Sequence, residues 1–249
     1  MPRSYQLHAF PVTIFAHLLF IAVTTLVFIW LLRFRGGFAF NSPSKPKLIN
    51  VFYFICYNPT VITSSLFYMY ACFLQSLSLS LSLQFHTLLM MIGFVLVGGE
   101  AIIVHKALEA KRRSLKVAHM LLHLIALASG ILGVITVYKE EVHLHYHIYT
   151  LHSWFGMIAI CSFVLVGVLH IFFPGAEMSR RASMKPWHRL MGMVIFLLAV
   201  CTAETGLVQR FQYLKLGRSQ EGLVLNFSAL LLFLFAVTVG LSVTLPADY

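Results

Sequence analysis

The chain has 249 residues, of which 59% are apolar and only 10% charged, and its mean hydropathy is +0.86. Soluble domains are roughly half apolar and a quarter charged, so this composition excludes a soluble globular class and makes the bilayer the main solvent. The formal net charge of +10 does not point to nucleic acid, because Lys and Arg sit in short loops between apolar blocks rather than on one face; anionic headgroups or small anions fit better.

Taken in chain order, six apolar blocks are long enough to cross a hydrocarbon core about 30 Å thick as helices. They are Pro11 to Leu32, His86 to His105, Val117 to Tyr138, Tyr149 to Phe173, Trp187 to Val208 and Leu223 to Leu245. The first lacks a small-residue cleavage site and is long for a signal-peptide core, so it reads as a retained span. The intervening loops are short and polar, among them Arg35-Gly36-Gly37, Lys111-Arg112-Arg113, Pro174-Gly175 and Arg218-Ser219-Gln220-Glu221. Neighbouring helices are therefore antiparallel, and an all-α membrane bundle of six transmembrane helices is expected. The face with the N-terminus, the Lys106 to Lys116 loop and Arg180 to Arg189 holds ten Lys and Arg, the other face eight. That margin decides nothing alone. The Lys139 to His147 loop, rich in Glu and His, reads as non-cytoplasmic and puts both termini in the cytoplasm.

Residues 1–249 read as one domain with an atypical insertion at 51–84. Asn58-Pro59 breaks its apolar first part, and the Ser-Leu repeat from Ser76 to Gln84 has no polar turn. It reads either as a seventh span or as a retained intron: a pyrimidine-rich tract ending in CAG translates to a Ser-Leu run ending in Gln, and Val51 can begin with GT. On the intron reading, transcript sequencing finds a spliced form joining Asn50 to Phe85; if every transcript carries the segment, the reading fails. The four cysteines, Cys56, Cys72, Cys161 and Cys201, have no paired spacing, so neither a disulfide framework nor a zinc site is indicated; inert, buried thiols are expected.

Of the twelve histidines, His86, His119, His152 and His188 fall in the first turns of four consecutive spans. Antiparallel neighbours alternate the depth of equivalent positions, so His86 and His152 lie near one surface and His119 and His188 near the other. Strongly polar side chains at such depth cost several kcal/mol unless paired or liganded. Two facing imidazoles suit a six-coordinate haem iron, whose closed coordination favours electron transfer over oxygen chemistry. A single histidine at a helix start is more often an interfacial residue, and His17, His105, His123 and His170 add alternatives; His123, one turn after His119, could take its role, but His119 is preferred because its depth matches the other three. Glu100 and Glu204, within apolar spans, need a partner or a proton; proton coupling and a structural hydrogen bond are both open, the latter being the plainer role because Glu100 is close to the basic end of span two.

Several motifs together resemble the eukaryotic, plant-type cytochrome b561 family. They are Arg35-Gly36-Gly37, Gly99-Glu100-Ala101, Lys116-Val117-Ala118-His119, Thr150-Leu151-His152-Ser153-Trp154, Pro174-Gly175 and Arg181-Ala182-Ser183-Met184-Lys185-Pro186-Trp187-His188. Removing 51–84 gives Ile-Asn-Phe-His, similar to the family's Asn-x-His-Pro start of span two. The resemblance implies a central four-helix core with two b-type haems (haem b), one held by His86 and His152 and one by His119 and His188. It implies ascorbate contacts at Arg112, Lys116 and Arg181, a haem-propionate neighbour at Lys106, and a haem-lining stretch at His147, Ile148, Tyr149 and Thr150. Thr87 departs from the usual proline, Glu141 falls near the family's outer-side histidine with His143, His145 and His147 close by, and Gln209 replaces a common acidic residue.

The expected function is an ascorbate-dependent transmembrane oxidoreductase, of the ferrireductase or monodehydroascorbate reductase type. Cytoplasmic ascorbate is the donor, monodehydroascorbate or a ferric chelate the acceptor. A homodimer in an endomembrane such as the vacuolar membrane, or in the plasma membrane, is implied. Two other classes stay open: a histidine-lined metal or proton transporter, and a di-haem anchor subunit of a larger redox complex.

Overall fold

The computed structural model describes residues 8–35, 84–108, 110–144, 149–172 and 178–246, with backbone alone for 138–144, 168–172 and 178–182. The 51–83 part of the insertion, His147, Ile148 and the side chains of Arg181 and His170 lie outside the described residues.

Six helices form. The first, α1 (Ala9–Ile29), continues through a widened turn, Trp30–Phe34. Next come α2 (Gln84–Ala107), α3 (Arg112–Leu144), α4 (Leu151–Phe172), α5 (Met178–Tyr213) and α6 (Gln220–Thr244). Five are long and apolar enough to cross a membrane, and α4 is apolar over Leu151–Gly167. The chain is thus an all-α, multi-pass integral membrane protein. Apart from α4, which starts at Leu151 rather than Tyr149, the helices begin earlier than hydropathy alone suggests: α3 starts at Arg112 rather than Val117, and α5 runs through Pro186 rather than starting after it. Hydropathy marks the apolar core of a span, whereas backbone hydrogen bonding carries the helix on into the headgroup region.

The termini mark one face, since the Ala9 amide donates to the Pro246 carbonyl at 3.0 Å. This end is called inner and the opposite end outer. At the outer end the Gln84 amide side chain donates to the Arg35 carbonyl at 2.9 Å, tying the start of α2 to the end of α1. Packing is closest between α1 and α6, α4 and α5, and α2 and α3, while α3 and α4 touch sparingly. The helices α2 to α5 therefore surround a central space, with α1 and α6 applied to its α2 and α5 side.

In lipid, close approach relies on small residues rather than on a hydrophobic drive between helices. The α2–α3 seam follows this rule. Gly93 lies against Ser129, a Cβ on Gly130 would meet the Phe94 ring at 2.9 Å, and one on Gly133 would meet Met90 at 3.1 Å. On the other side Gly99 admits the Phe235 ring of α6, which a Cβ would meet at 2.5 Å. The buried stripe of α1, Ala16, Leu19, Val23, Val27 and Trp30, repeats every three to four residues and faces the bundle. Cys161 and Cys201 lie on the bundle's exterior, which corrects the expectation of buried thiols: apolar spans carry no amphipathic signal to say which side faces lipid.

A polar lock closes the outer end of the α1–α6 pair. Glu221, in the first turn of α6, accepts a hydrogen bond from the Trp30 indole at 2.8 Å and pairs with the Arg35 guanidinium. Ser219 caps the helix, its hydroxyl accepting from the Gly222 amide at 2.9 Å. Removing one member of a mostly buried ion pair strands the other, so Glu221→Ala is expected to destabilise the fold by about 3 kcal/mol. A drop in the thermal midpoint of the detergent-solubilised protein measures this, and an unchanged midpoint counts against it.

Candidate functional site: two pairs of facing imidazoles

Each of the four consecutive helices α2 to α5 carries one of the singled-out histidines near its start, His188 a few turns into α5 because that helix begins early. Antiparallel packing brings His86 and His152 together at the outer end, with ring centroids 6.0 Å apart and planes crossed at 78°. At the inner end His119 and His188 face each other at 6.1 Å and 66°. The pairing read from helix direction is the pairing observed.

Three of these rings are oriented by backbone carbonyls of neighbouring helices. His86 Nδ1–H donates to the Gly133 carbonyl at 2.8 Å, His119 Nδ1–H to Ala101 at 2.7 Å and His152 Nδ1–H to Thr202 at 2.8 Å. A carbonyl can only accept, so the proton sits on Nδ1 and the Nε2 lone pair is left for a metal. The spacing fits an iron between each pair. Two metal–imidazole bonds of about 2.0 Å, plus about 1.1 Å from nitrogen to ring centre at each end, sum to about 6 Å. The donor set, two facing imidazoles at each end of an apolar bundle, would suit a b-type haem.

The structure separates His119 from His123. The His123 ring lies edge-on to His119 at 4.4 Å and packs on Phe163 of α4 at 5.3 Å, deeper in the bundle. Its Nδ1 has no carbonyl partner, unlike that of His119. Phe163 in turn meets Phe94 of α2 at 5.4 Å, so aromatic rings occupy the space between the two imidazole pairs.

Other residues read from the sequence fall as follows. Arg112 and Lys116 are exposed on the first turns of α3 at the inner face, leading to His119. Lys106 is at the same face, but its ammonium donates to the Leu245 carbonyl at 2.8 Å and so ties α2 to the end of α6. At the outer face Tyr149 is exposed, and the Thr150 hydroxyl accepts from the Ser153 amide at 3.2 Å, capping α4.

Sequence reading missed two kinds of residue here. The carbonyls of Gly133, Ala101 and Thr202 carry no side-chain signal at all. Gly206 was passed over because a glycine within an apolar span is unremarkable, yet a Cβ there would meet the His152 ring at 2.8 Å. Arg189, exposed beside His188, and His105, whose ring lies 5.2 Å from that of His119, also stand at the inner pair.

A helical membrane bundle with two imidazole pairs at opposite depths defines the class of transmembrane haem proteins that carry electrons across a bilayer. The family model described as eukaryotic cytochrome b561 matches residues 85–213, the stretch that holds all four histidines. The chain belongs to this family. Similar proteins include the probable ascorbate-specific transmembrane electron transporter 1 of Oryza sativa subsp. japonica, 32% identical over 249 residues, covering 96% of this chain and 92% of the relative. The transmembrane ascorbate ferrireductase 1 of Arabidopsis thaliana is 30% identical, with 96% and 89% covered. The ascorbate-specific transmembrane electron transporter 1 of Zea mays is also 30% identical, with 99% and 94% covered.

Proposed function

We propose that this chain is an ascorbate-dependent transmembrane oxidoreductase that holds two b-type haems, His119 and His188 binding the inner one and His86 and His152 the outer one. The observation that carries the reading is the pair of ring spacings, 6.0 and 6.1 Å, at opposite ends of one four-helix core. Haem b so ligated takes up and passes on single electrons without an open coordination position.

The residues divide the remaining work. Arg112, Lys116 and Arg181 stand on the inner side, where positive charge attracts the ascorbate monoanion and supplies donors to its oxygens. Ala101, Gly133 and Thr202 hold three of the imidazoles in the tautomer that presents Nε2. The ring-filled centre, His123, Phe163 and Phe94, excludes water between the two pairs. On this reading the inner face is cytoplasmic, and the acceptor on the other side is monodehydroascorbate or a ferric chelate. The protein works as a homodimer in an endomembrane or the plasma membrane.

Purified protein is expected to contain two b-type haems per chain, both reduced by ascorbate; a folded preparation with no visible haem spectrum overturns the reading in favour of a transporter. Lys116→Ala removes a charge-assisted contact of about 1.5 kcal/mol, so kcat/KM for ascorbate falls about tenfold with the spectrum unchanged. Initial rates of haem reduction over a range of ascorbate concentrations check this.

A further inference from the structure

One titratable pair inside the bilayer has no part in the scheme above. His17, in the inner half of α1, meets Glu100 of α2 with Nδ1 to Oε2 at 2.7 Å. The second carboxylate oxygen, Oε1, is buried without a hydrogen-bond partner. Glu100 is also bonded directly to Ala101, whose carbonyl orients His119. An acid and a base sharing one proton are thus placed one peptide unit from the hydrogen bond that sets an inner haem ligand.

We propose that the His17–Glu100 pair is a redox-linked proton site. When an electron is held between His119 and His188, the pair binds one proton from water at the inner face, so that the Glu100 carboxylate becomes the carboxylic acid while its contact with His17 is kept. When the electron moves to the outer pair the proton is returned, so one proton follows each electron in and out and the charge balances. The inference rests on the haem assignment above.

The physical case has three parts. A carboxylate in an apolar span is costly unless paired, and half of this one is unpaired, so protonation relieves an existing penalty. An added negative charge nearby raises the proton affinity of any site, and does so more strongly at low dielectric. Among the described residues at this depth Glu100 is the carboxylate, the other titratable groups being histidines and bases. The inner half of α6, packed on both α1 and α2, brings only the hydroxyls of Thr238 and Ser242 near this depth and no titratable side chain. From α3 come His119, committed to Ala101, and His123; from α5 come His188 and Arg189; α1 adds His8 at its end. On α2 itself are His105 and Lys106, the latter bound to Leu245. Among the described residues, His17 is the ionisable partner in contact with the Glu100 carboxylate.

The test is a redox titration of the haem-loaded protein over roughly pH 5 to 8, where histidine-coupled sites exchange protons. In the wild type the midpoint potential of the inner haem falls as pH rises, because reduction takes up a proton, while that of the outer haem stays level. Both Glu100→Gln and His17→Asn keep two haems and lose the slope. A redox difference infrared spectrum of the wild type shows a carboxylic acid C=O band that appears with inner-haem reduction. A merely structural ion pair gives neither signal. A level inner-haem potential in wild-type protein carrying two haems, or a slope that survives both substitutions, overturns the proposal. Should either variant fail to fold, the wild-type titration and infrared band still decide it. Absence of haem from the wild type would instead sink the haem assignment itself.

Discussion

Replacing His188 with alanine is expected to leave one haem per chain and to stop reduction by ascorbate, a loss of at least about 100-fold in the rate of electron entry. His188 and His119 are the two imidazoles that converge from α5 and α3 at the inner end. A truncated His188 leaves an iron site with one protein ligand, and no other described imidazole faces His119 from the α5 side. His119→Ala is expected to act alike: His123 is one turn deeper and set edge-on to His119 rather than turned to its partner. The outer pair, at the other end of the core, keeps its haem. Haem-to-protein ratio and stopped-flow reduction by ascorbate measure both effects. Two haems retained in the His188 variant would show that the inner iron is held by other residues.

Gly206→Val is expected to empty the other site while sparing this one. A Cβ at Gly206 would lie 2.8 Å from Cε1 and 2.9 Å from Nδ1 of His152. The ring has little room to yield, because Nδ1 donates to the Thr202 carbonyl one turn earlier on the same helix. A branched side chain therefore tilts the imidazole, breaks that hydrogen bond and turns Nε2 away from His86. The local cost of overpacking, about 1 to 3 kcal/mol, is small against a six-helix fold but is concentrated on one ligand. The purified variant is expected to hold one haem per chain, still reduced by ascorbate, and to pass no electrons to an acceptor on the outer side. Proteoliposomes loaded with ascorbate and given external ferricyanide measure the transfer; wild-type rates would refute the argument.

The four histidines were legible before the structure because bilayer physics leaves few choices. Each apolar block must cross, short loops force antiparallel neighbours, and depth then follows from position along the span. The choice of His119 over His123 rested in the sequence on depth alone, which matches that of the other three histidines; the carbonyl of Ala101 distinguishes the two in space. Lys106 illustrates a different limit. Its place at the inner end of α2 was correctly read, but its partner is the end of α6, 139 residues away in sequence.

The sequence by itself determined the solvent, the antiparallel run of the spans, the depth of each histidine and the family. These follow from hydropathy, loop length and motif spacing, which are properties of the chain alone. Tertiary structure decided the rotation of each helix about its axis, and with it every specific contact: Gly206 under His152, Glu221 between Trp30 and Arg35, and His17 against Glu100. The reason is physical. A soluble helix advertises its buried face through an amphipathic stripe, whereas a span that is apolar all round does not, so its facing is set only when small residues, backbone carbonyls and rare polar groups find their partners.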